Sequence, residues 1–563
     1  MFKGHPRGLF VLALSNMGER FGYYTMLAIF VLFLQAKFGL STDETSTIFG
    51  TFLALVYFLP VIGGYIADRF LGYGKTITLG IVIMFFGYFV LAIPTGVDNV
   101  AFITMIGALA LIAIGTGLFK GNVQALVGNL YDNPKYSKKR DLAYSLFYMC
   151  INIGAFFAPS AAKAISNYFL AKHGLFYNAQ IPSLANQYIS GTISESGLTR
   201  LSELANAQIT GASENISSFA TTYIQRLSEA YNYGFGVACI SLVVSITIFL
   251  VFRNTYKIAD VTARQMAKAP KTESNVAAVE LTPKQTRERV TALLLVFVVV
   301  IFFWMSFHQN GLTMTYFARD YTYSNITGIE RIGFYLGCMV AIIVAWYGMV
   351  SIFQNKGKGK IVGLLVLIAG IVATMLAYNS LDTELTITPE IFQQFNPFFI
   401  IILTPISIAL FSWLAKRNAE PSAPRKIGIG MIIAAMGFVV LLIGSIGLPA
   451  PESLTSSGGV SDMLVSPTWL ISTYFVLTIA ELFLSPMGLS FVSKVAPPKY
   501  KGMMQGGWLA ATAVGNYLVA IIGYMWKDVN LTTLWGVLVV CCLVSASFIF
   551  IMMKRLERTT KDA

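Results

Sequence analysis

Five polar side chains interrupt an apolar stretch near the start of the chain. In SNMGERFGYYTM, residues 15–26, Asn16, Glu19, Arg20, Tyr23 and Tyr24 recur at i, i+3, i+4, i+7 and i+8. That spacing places them on one stripe of an α-helix. Leu12, Leu14, Phe21, Met26 and Ile29 fall on the opposite, mostly apolar face. A carboxylate, a guanidinium and two phenols on one face can hold an ion or pass a proton. In bare hydrocarbon each central Glu or Arg costs about 2.5–3.5 kcal/mol, so the stripe is expected to border a water-filled cavity. Neighbours i and i+1 do not face each other on a helix, so Glu19 and Arg20 are each expected to find a partner on another helix.

Similar chemistry recurs further along. GTGLFKGNVQALVGN (115–129) sets Lys120 among Gly115, Gly117 and Gly121, residues that permit close helix approach, with Asn122 and Gln124 nearby. YSLFYMCINIGAFFAP (144–159) puts Tyr144, Tyr148 and Asn152 on one face, and YFVLTIAELFLSPMGLS (474–490) holds Glu481, with Ser485 one turn on and Pro486 to bend the helix. Tyr148 or Asn152 alone reads as readily as an interhelical hydrogen bond as it does a ligand. Four intramembrane charges divided between the two halves of the chain are harder to explain as packing. His308, the one mid-span histidine of three, is either a bond to a neighbouring helix or a proton-sensitive gate, since imidazole titrates near neutrality.

The elements that carry these residues are membrane spans. The 563 residues are 56% hydrophobic and only 12% charged, with mean hydropathy +0.67, about half the charge of soluble proteins. Apolar runs of roughly 20 residues, enough to cross a bilayer, recur about fourteen times, which makes an all-α polytopic membrane protein. The net charge of +13 does not indicate nucleic acid. Its lysines and arginines sit in alternate connectors, such as KYSKKR (135–140) and AKRNAEPSAPRK (415–426), as in cytoplasmic loops, so both termini are expected in the cytoplasm. Cys150, Cys239, Cys338, Cys541 and Cys542 lie in apolar spans without metal or disulfide spacing. No Cys/His cluster or nucleophile–base pair points to an enzyme, a metal or another cofactor. Three N-x-S/T triplets, at Asn215, Asn325 and Asn530, fall on outside segments. Residues 1–253 read as a six-span bundle with an outside loop at 166–232, taken as a passive insertion rather than a docking cap. Residues 254–289 read as a cytoplasmic linker, and 290–563 as a second bundle with an extra helix pair near 332–380. Two bundles of this kind hold a site between them near the midplane.

These segments resemble the proton-coupled oligopeptide transporter family of the major facilitator superfamily, over nearly the whole chain. NMGERFGYYTM resembles the family's ExxERFxYY signature, and GGYIADRFLGYGKT (63–76) its second-span signature, with the cytoplasmic D-R gate motif at Asp68 and Arg69. FYMCINIGA (147–155) resembles FYxxINxG, while FFWMSFHQNG, FQQFNPFFIIILTPISIALFSWL and ELFLSPMGLS resemble the seventh, eighth and tenth core spans. The resemblance implies two six-helix bundles plus two extra spans, and a proton-coupled symporter that imports di- and tripeptides across the cell membrane by alternating access. Its implied partners are peptide, protons and membrane lipid, with the chain acting as a monomer. By position, Arg20 and Lys120 would attract the peptide carboxylate and Glu481 its amine. Tyr23, Tyr24, Tyr57, Tyr148, Asn152, Trp304, Asn396, Ser485 and Trp508 would line the pocket. Glu19, Arg20, Lys120, His308 and Glu481 would carry proton coupling.

Three departures stand out. The signature's first glutamate is Asn16, the arginine one turn past the tyrosines is Leu27, and the acid four residues after the seventh-span tryptophan is His308. The last two pair across the outer gate in the family, so their joint loss implies a rewired gate. The extra helix pair falls between core spans seven and eight rather than six and seven, the mark of a divergent, bacterial-type branch. The rival reading is a same-fold carrier of another small anion or zwitterion (nitrate, an amino acid, a peptide-like drug) with weaker proton coupling.

Overall fold

A computed structural model describes residues 4–132, 135–260, 282–497 and 500–561. Among them, thirteen helices are long and apolar enough to cross a bilayer, and the apolar stretch Thr468–Leu484 opens a fourteenth, Thr468–Val495. The chain is a multi-pass membrane protein.

The first bundle consists of α1 (Arg7–Phe38), α2 (Thr42–Ile66), α3 (Tyr73–Ala92), α4 (Asn99–Leu130) and α5 (Arg140–Ala171), then, after two short outer helices α6 (Ile181–Ser190) and α7 (Glu195–Gln208), α8 (Ile216–Val251). Polar residues set the helix starts. Ser41 and Glu44 form a reciprocal capping box at α2, and the Asp98 carboxylate accepts from Ala101 N at α4. Small residues set the helix spacing. A Cβ on Gly63 of α2 would lie 2.1 Å from Gly117 O of α4, and one on Gly115 of α4 would lie 2.5 Å from Gly80 O of α3. Gly18 and Gly22 let α1 pack against Ser245 and Ala238 of α8, where a Cβ would lie 3.3 and 3.2 Å from them, while Gly154 of α5 abuts Met17. Close approach on these sides makes α1 an interior helix. Leu12, Met26 and Ile29, on its apolar face, are buried by protein rather than lipid.

The second bundle starts with α9 (Pro283–Phe307), which is capped by Thr282 and Gln285, so the last residues of the expected linker are helical; residues 261–281 of that linker lie outside the described residues. The seventh core span does not run through. It breaks at a 3-10 turn, His308–Gly311, and resumes as the short α10 (Thr313–Asp320). The extra pair, α11 (Leu336–Gln354) and α12 (Lys358–Asn379), follows as a hairpin, with short strands β1 (Asn325–Thr327) and β2 (Glu384–Thr386) pairing antiparallel at its outer end. The bundle is completed by α13 (Phe395–Lys416), α14 (Ala423–Gly444), α15 (Thr468–Val495), α16 (Lys501–Tyr524) and α17 (Leu531–Ile551), and α18 (Met553–Lys561) ends the described chain.

The bundles meet along two seams, α2 against α16 and α5 against α13. Their outer ends are tied together. Lys527 pairs with Asp43 at 2.7 Å, Thr47 meets the Tyr524 hydroxyl at 2.9 Å, and Ser160 donates to Gln394 at 2.7 Å. Lys163 donates to Thr386 O at 2.8 Å, and Arg319 donates to Gln35. The outer loop, expected as a passive insertion, does more than fill space. Asn186 of α6 donates to Ala36 O at the end of α1, and a Cβ on Gly458 of the second bundle would lie 2.9 Å from Leu184 of α6. The short outer helices therefore straddle both halves.

Candidate functional site

Glu19 and Arg20 lie inside the first bundle, 1% and 4% exposed. Contrary to the expectation of separate partners, they close on each other: Arg20 Nε meets Glu19 Oε2 and Arg20 Nη2 meets Glu19 Oε1, both at 2.5 Å. The i,i+1 rule governs side chains that extend from the helix, whereas these two are long enough to fold back together. Burial makes mutual neutralisation worth that constraint, because an unpaired buried charge costs several kcal/mol. The guanidinium also lies 4.8 Å from the Tyr23 ring centroid, and Tyr23 packs edge-on against Tyr24.

Lys120 faces the same region from α4. The glycines that seat α4 against α2 bring its Nζ to 3.3 Å from the Tyr57 ring centroid. That nitrogen has no hydrogen-bond partner among the described residues. The Tyr57 ring in turn meets His308 of the second bundle, 5.9 Å between centroids, and His308 stacks on Trp304 at 5.0 Å. His308 owes this position to the break in the seventh span, since it is the first residue of the turn after α9. The residue expected mid-helix is a helix end.

Glu481 on α15 is the opposing carboxylate. It accepts from the Tyr148 hydroxyl of α5 and from Asn396 Nδ2 of α13, each at 2.8 Å. Asn396 also donates to Thr478, one turn before Glu481, and Asn152 donates to Tyr148 O one turn back on α5. A hydrogen bond between α5 and α15 thus joins the two halves directly. Tyr24, Tyr57, Lys120, Tyr148, Trp304, His308 and Asn396 are only partly buried, as befits residues flanking a gap between two bundles.

Other expected residues lie apart from this group. Trp508 is buried within the second bundle against Phe297. The Ser485 side chain lies outside the described residues. Asp68 and Arg69 occupy a π-helical turn at the C-terminal end of α2, where Asp68 accepts from Tyr73 at 2.6 Å and Arg69 covers Tyr65. The structure also adds residues the sequence did not single out. Asn516 of α16 lies beside His308. Arg319 and Asp320 at the end of α10 form a second forked neighbour pair, at 2.5 and 3.0 Å, on the outer side. The sequence carried a signal for that pair, two adjacent opposite charges directly after an apolar run. Leu27, where the family places its gate arginine, is buried in the apolar core.

A family model described as the POT family matches residues 74–170 and 370–538. The peptide transporter YePEPT of Yersinia enterocolitica subsp. palearctica is 28% identical, covering 93% of this chain and 88% of that protein. Dipeptide and tripeptide permease A of Escherichia coli is 25% identical, over 92% of this chain and 84% of that protein. A solved structure of a peptide transporter POT in complex with sulfate aligns with TM-score 0.64 at 23% identity, over 99% of this chain and 96% of that one. At that identity the structural likeness is one of fold.

Proposed function

Since the chain belongs to the POT family, we propose that it is a proton-coupled symporter importing di- and tripeptides across the cell membrane, with both termini in the cytoplasm. The observation that carries the reading is the placement of opposite charges on opposite halves. Lys120 stands uncommitted in the first bundle, and Glu481 is held in the second by Tyr148 and Asn396. A peptide's two main-chain ends match these poles, whatever its side chains. The amine displaces a neutral donor from Glu481 and the carboxylate meets Lys120. Tyr24, Tyr57, Tyr148 and Trp304 supply apolar contact that tolerates many sequences. Both walls come from one chain, so a monomer suffices for transport.

The Glu19–Arg20 fork supplies a route to coupling. A proton on Glu19 cancels its charge and releases the Arg20 guanidinium, which then becomes a second partner for the incoming carboxylate. Loss of that proton to the cytoplasm recloses the fork and expels the anion. Each positive charge moved inward gains about 2.3 kcal/mol per 100 mV. The ties across the outer face must break before peptide enters and re-form before it leaves, which is alternating access in local terms.

The test is uptake of labelled Ala-Ala by proteoliposomes under an imposed inward proton gradient. Accumulation that collapses with a protonophore, and that Lys120→Ala and Glu481→Gln each abolish, is the expected result. Uptake of nitrate or a free amino acid with none of Ala-Ala overturns it.

A further inference from the structure

One buried carboxylate has no place in the site described above. Glu390 lies in the 3-10 turn Pro389–Gln394, which leads into α13 and packs against the outer part of α5. It is 4% exposed, and its Oε1 accepts from the Thr388 hydroxyl at 2.6 Å. No ion pair reaches it among the described residues, whereas Glu19, Asp320 and Asp43 each hold a cation directly. Lys163 of α5 is the charge that acts on it from across the seam between the bundles. The Lys163 ammonium nevertheless donates elsewhere, to Thr386 O at 2.8 Å.

The other elements around the turn are α1, α10 and α13, and they offer Glu390 no cation. α1 and α13 bring no charge to bear on it. On α10, Arg319 is already forked onto Asp320 and tied to Gln35. Tyr177, just beyond α5, and Tyr231 of α8 lie within electrostatic reach of the carboxylate; both are phenols, neutral near pH 7. The same two tyrosines line a recess of about 1040 Å³ on the outer side, together with Gln35, Asn186, Arg319 and Trp526. A recess of that size and polarity admits water, which gives a proton a route to the turn.

A glutamate in open water is ionised across the physiological range. Buried without a cation in contact, its charge costs several kcal/mol that the neutral acid escapes, and one hydroxyl donor offsets only part of this. The cost lasts only while the turn is pressed onto α5, where the Ser160–Gln394 and Lys163–Thr386 bonds hold it. Resting on the alternating-access reading above, we infer that Glu390 is a proton-operated lock on the outer seam. It takes a proton from the recess as α5 and the turn close, and returns it there as they part. Acid outside then favours the closed outer face, and its absence favours opening. This proton goes back to the side it came from. It sets how readily the outer face opens, and it is separate from the proton that crosses with peptide at Glu19.

The reporter is Ala28→Cys in the full chain with its five cysteines replaced by alanine. Ala28 is 1% exposed on α1, and its carbonyl accepts from Gln393 of the same turn, so a membrane-impermeant maleimide reaches it only when the seam parts. Labelling is measured from outside on intact cells, without peptide. Thiol reactivity itself changes with pH, so each rate is divided by that of the same reporter carrying Glu390→Gln, which keeps the Thr388 contact and cannot ionise. The ratio is expected to be near one at about pH 5 and to rise at least about fivefold by about pH 8. Thr388→Val removes a donor to the ionised carboxylate and should move that rise to higher pH. A ratio that stays flat refutes the lock. So does a ratio below one, which would mean that the ionised carboxylate holds the seam shut through Lys163. Should Glu390→Gln fail to fold, the unmodified reporter is divided by Thr388→Val instead: a maximum between those pH limits upholds the lock, and a flat line refutes it. No labelling at any pH refutes both the lock and alternating access. With peptide absent, these outcomes stand apart from Ala-Ala uptake: import survives a flat ratio, and the lock survives a carrier that moves another solute.

Discussion

Glu19 and Arg20 show how two buried charges can be made tolerable and yet remain available. Each is satisfied by its neighbour on the same helix, so neither fastens α1 to another element, and the pair can open without unpacking the bundle. Glu19→Gln removes one charge and leaves Arg20 permanently unclosed. Exchange of labelled for unlabelled Ala-Ala across proteoliposomes is expected to persist in that variant, while accumulation driven by a pH gradient falls to the level of equilibration. Accumulation equal to that of the unmodified protein would place the coupling carboxylate elsewhere. At this scale the sequence was partly legible. The i, i+3, i+4 spacing identified the stripe, because helical geometry is independent of neighbours. It said nothing of how flexible side chains resolve their charges once buried, so the fork came as a correction. Asn516 was not legible either: one amide in WLAATAVGNYLVA (508–520) gains meaning only from the His308 ring beside it.

The helices were legible to the extent that length and hydropathy determine them. Fourteen apolar runs became fourteen long helices, since a backbone in lipid must satisfy its own hydrogen bonds. Their ends depended on local capping, and two of the N-x-S/T triplets prove to be caps. Asn215 accepts from Ser218 N at the start of α8, and Asn530 from Thr533 N at the start of α17. The break after α9 did carry a local signal, the polar turn sequence His308-Gln309-Asn310-Gly311, but the apolar runs on either side of it read as one span. The extra hairpin is built on glycine contacts: a Cβ on Gly370 of α12 would lie 2.4 Å from Ala345 N of α11, and one on Gly348 of α11 would lie 2.4 Å from Leu367 N. Gly370→Val is expected to force the two helices apart at about 1–3 kcal/mol, the usual cost of overpacking. It should lower the melting temperature of the purified protein. The hairpin stands outside the gap between the bundles, so the affinity for Ala-Ala should stay within a factor of two or so of the unmodified value.

Across the whole molecule, the outer face is closed by contacts that pair one bundle with the other, while the residues of the candidate site lie deeper. Asp43→Cys with Lys527→Cys, joined by a short thiol-cleavable bifunctional reagent, should stop Ala-Ala uptake, and reduction should restore it. Uptake that continues while the link is intact would mean that this face does not open during transport. Pairing with Asp43 holds the Lys527 ammonium above its ordinary value. A raised lysine contributes fully below its unfolded value and is lost only as the pH climbs through the raised one. The ammonium side of this tie therefore does not respond to pH between about 5 and 8. Lys527→Gln is expected to alter the rate of Ala-Ala uptake and leave its pH optimum in place. The two-bundle plan was legible from the six-plus-eight grouping of spans. The manner of closure was not, because Lys527, Asp43, Gln35 and Arg319 are far apart in the chain and meet only when the halves pack.

The short helices α6 and α7 grow from one half and rest on Gly458 of the other, a position without a side chain and with φ of +75°. Their grip is shallow, like a latch resting on a smooth plate, and a larger residue there would clash with Leu184 and strain the turn. On the transport reading proposed above, each turnover lifts that latch, which lies at the end of the molecule opposite the Asp68–Arg69 turn. An antibody fragment that fastened 181–208 to the segment around Gly458 would therefore arrest the carrier from outside, without ever approaching the chamber where peptide is held.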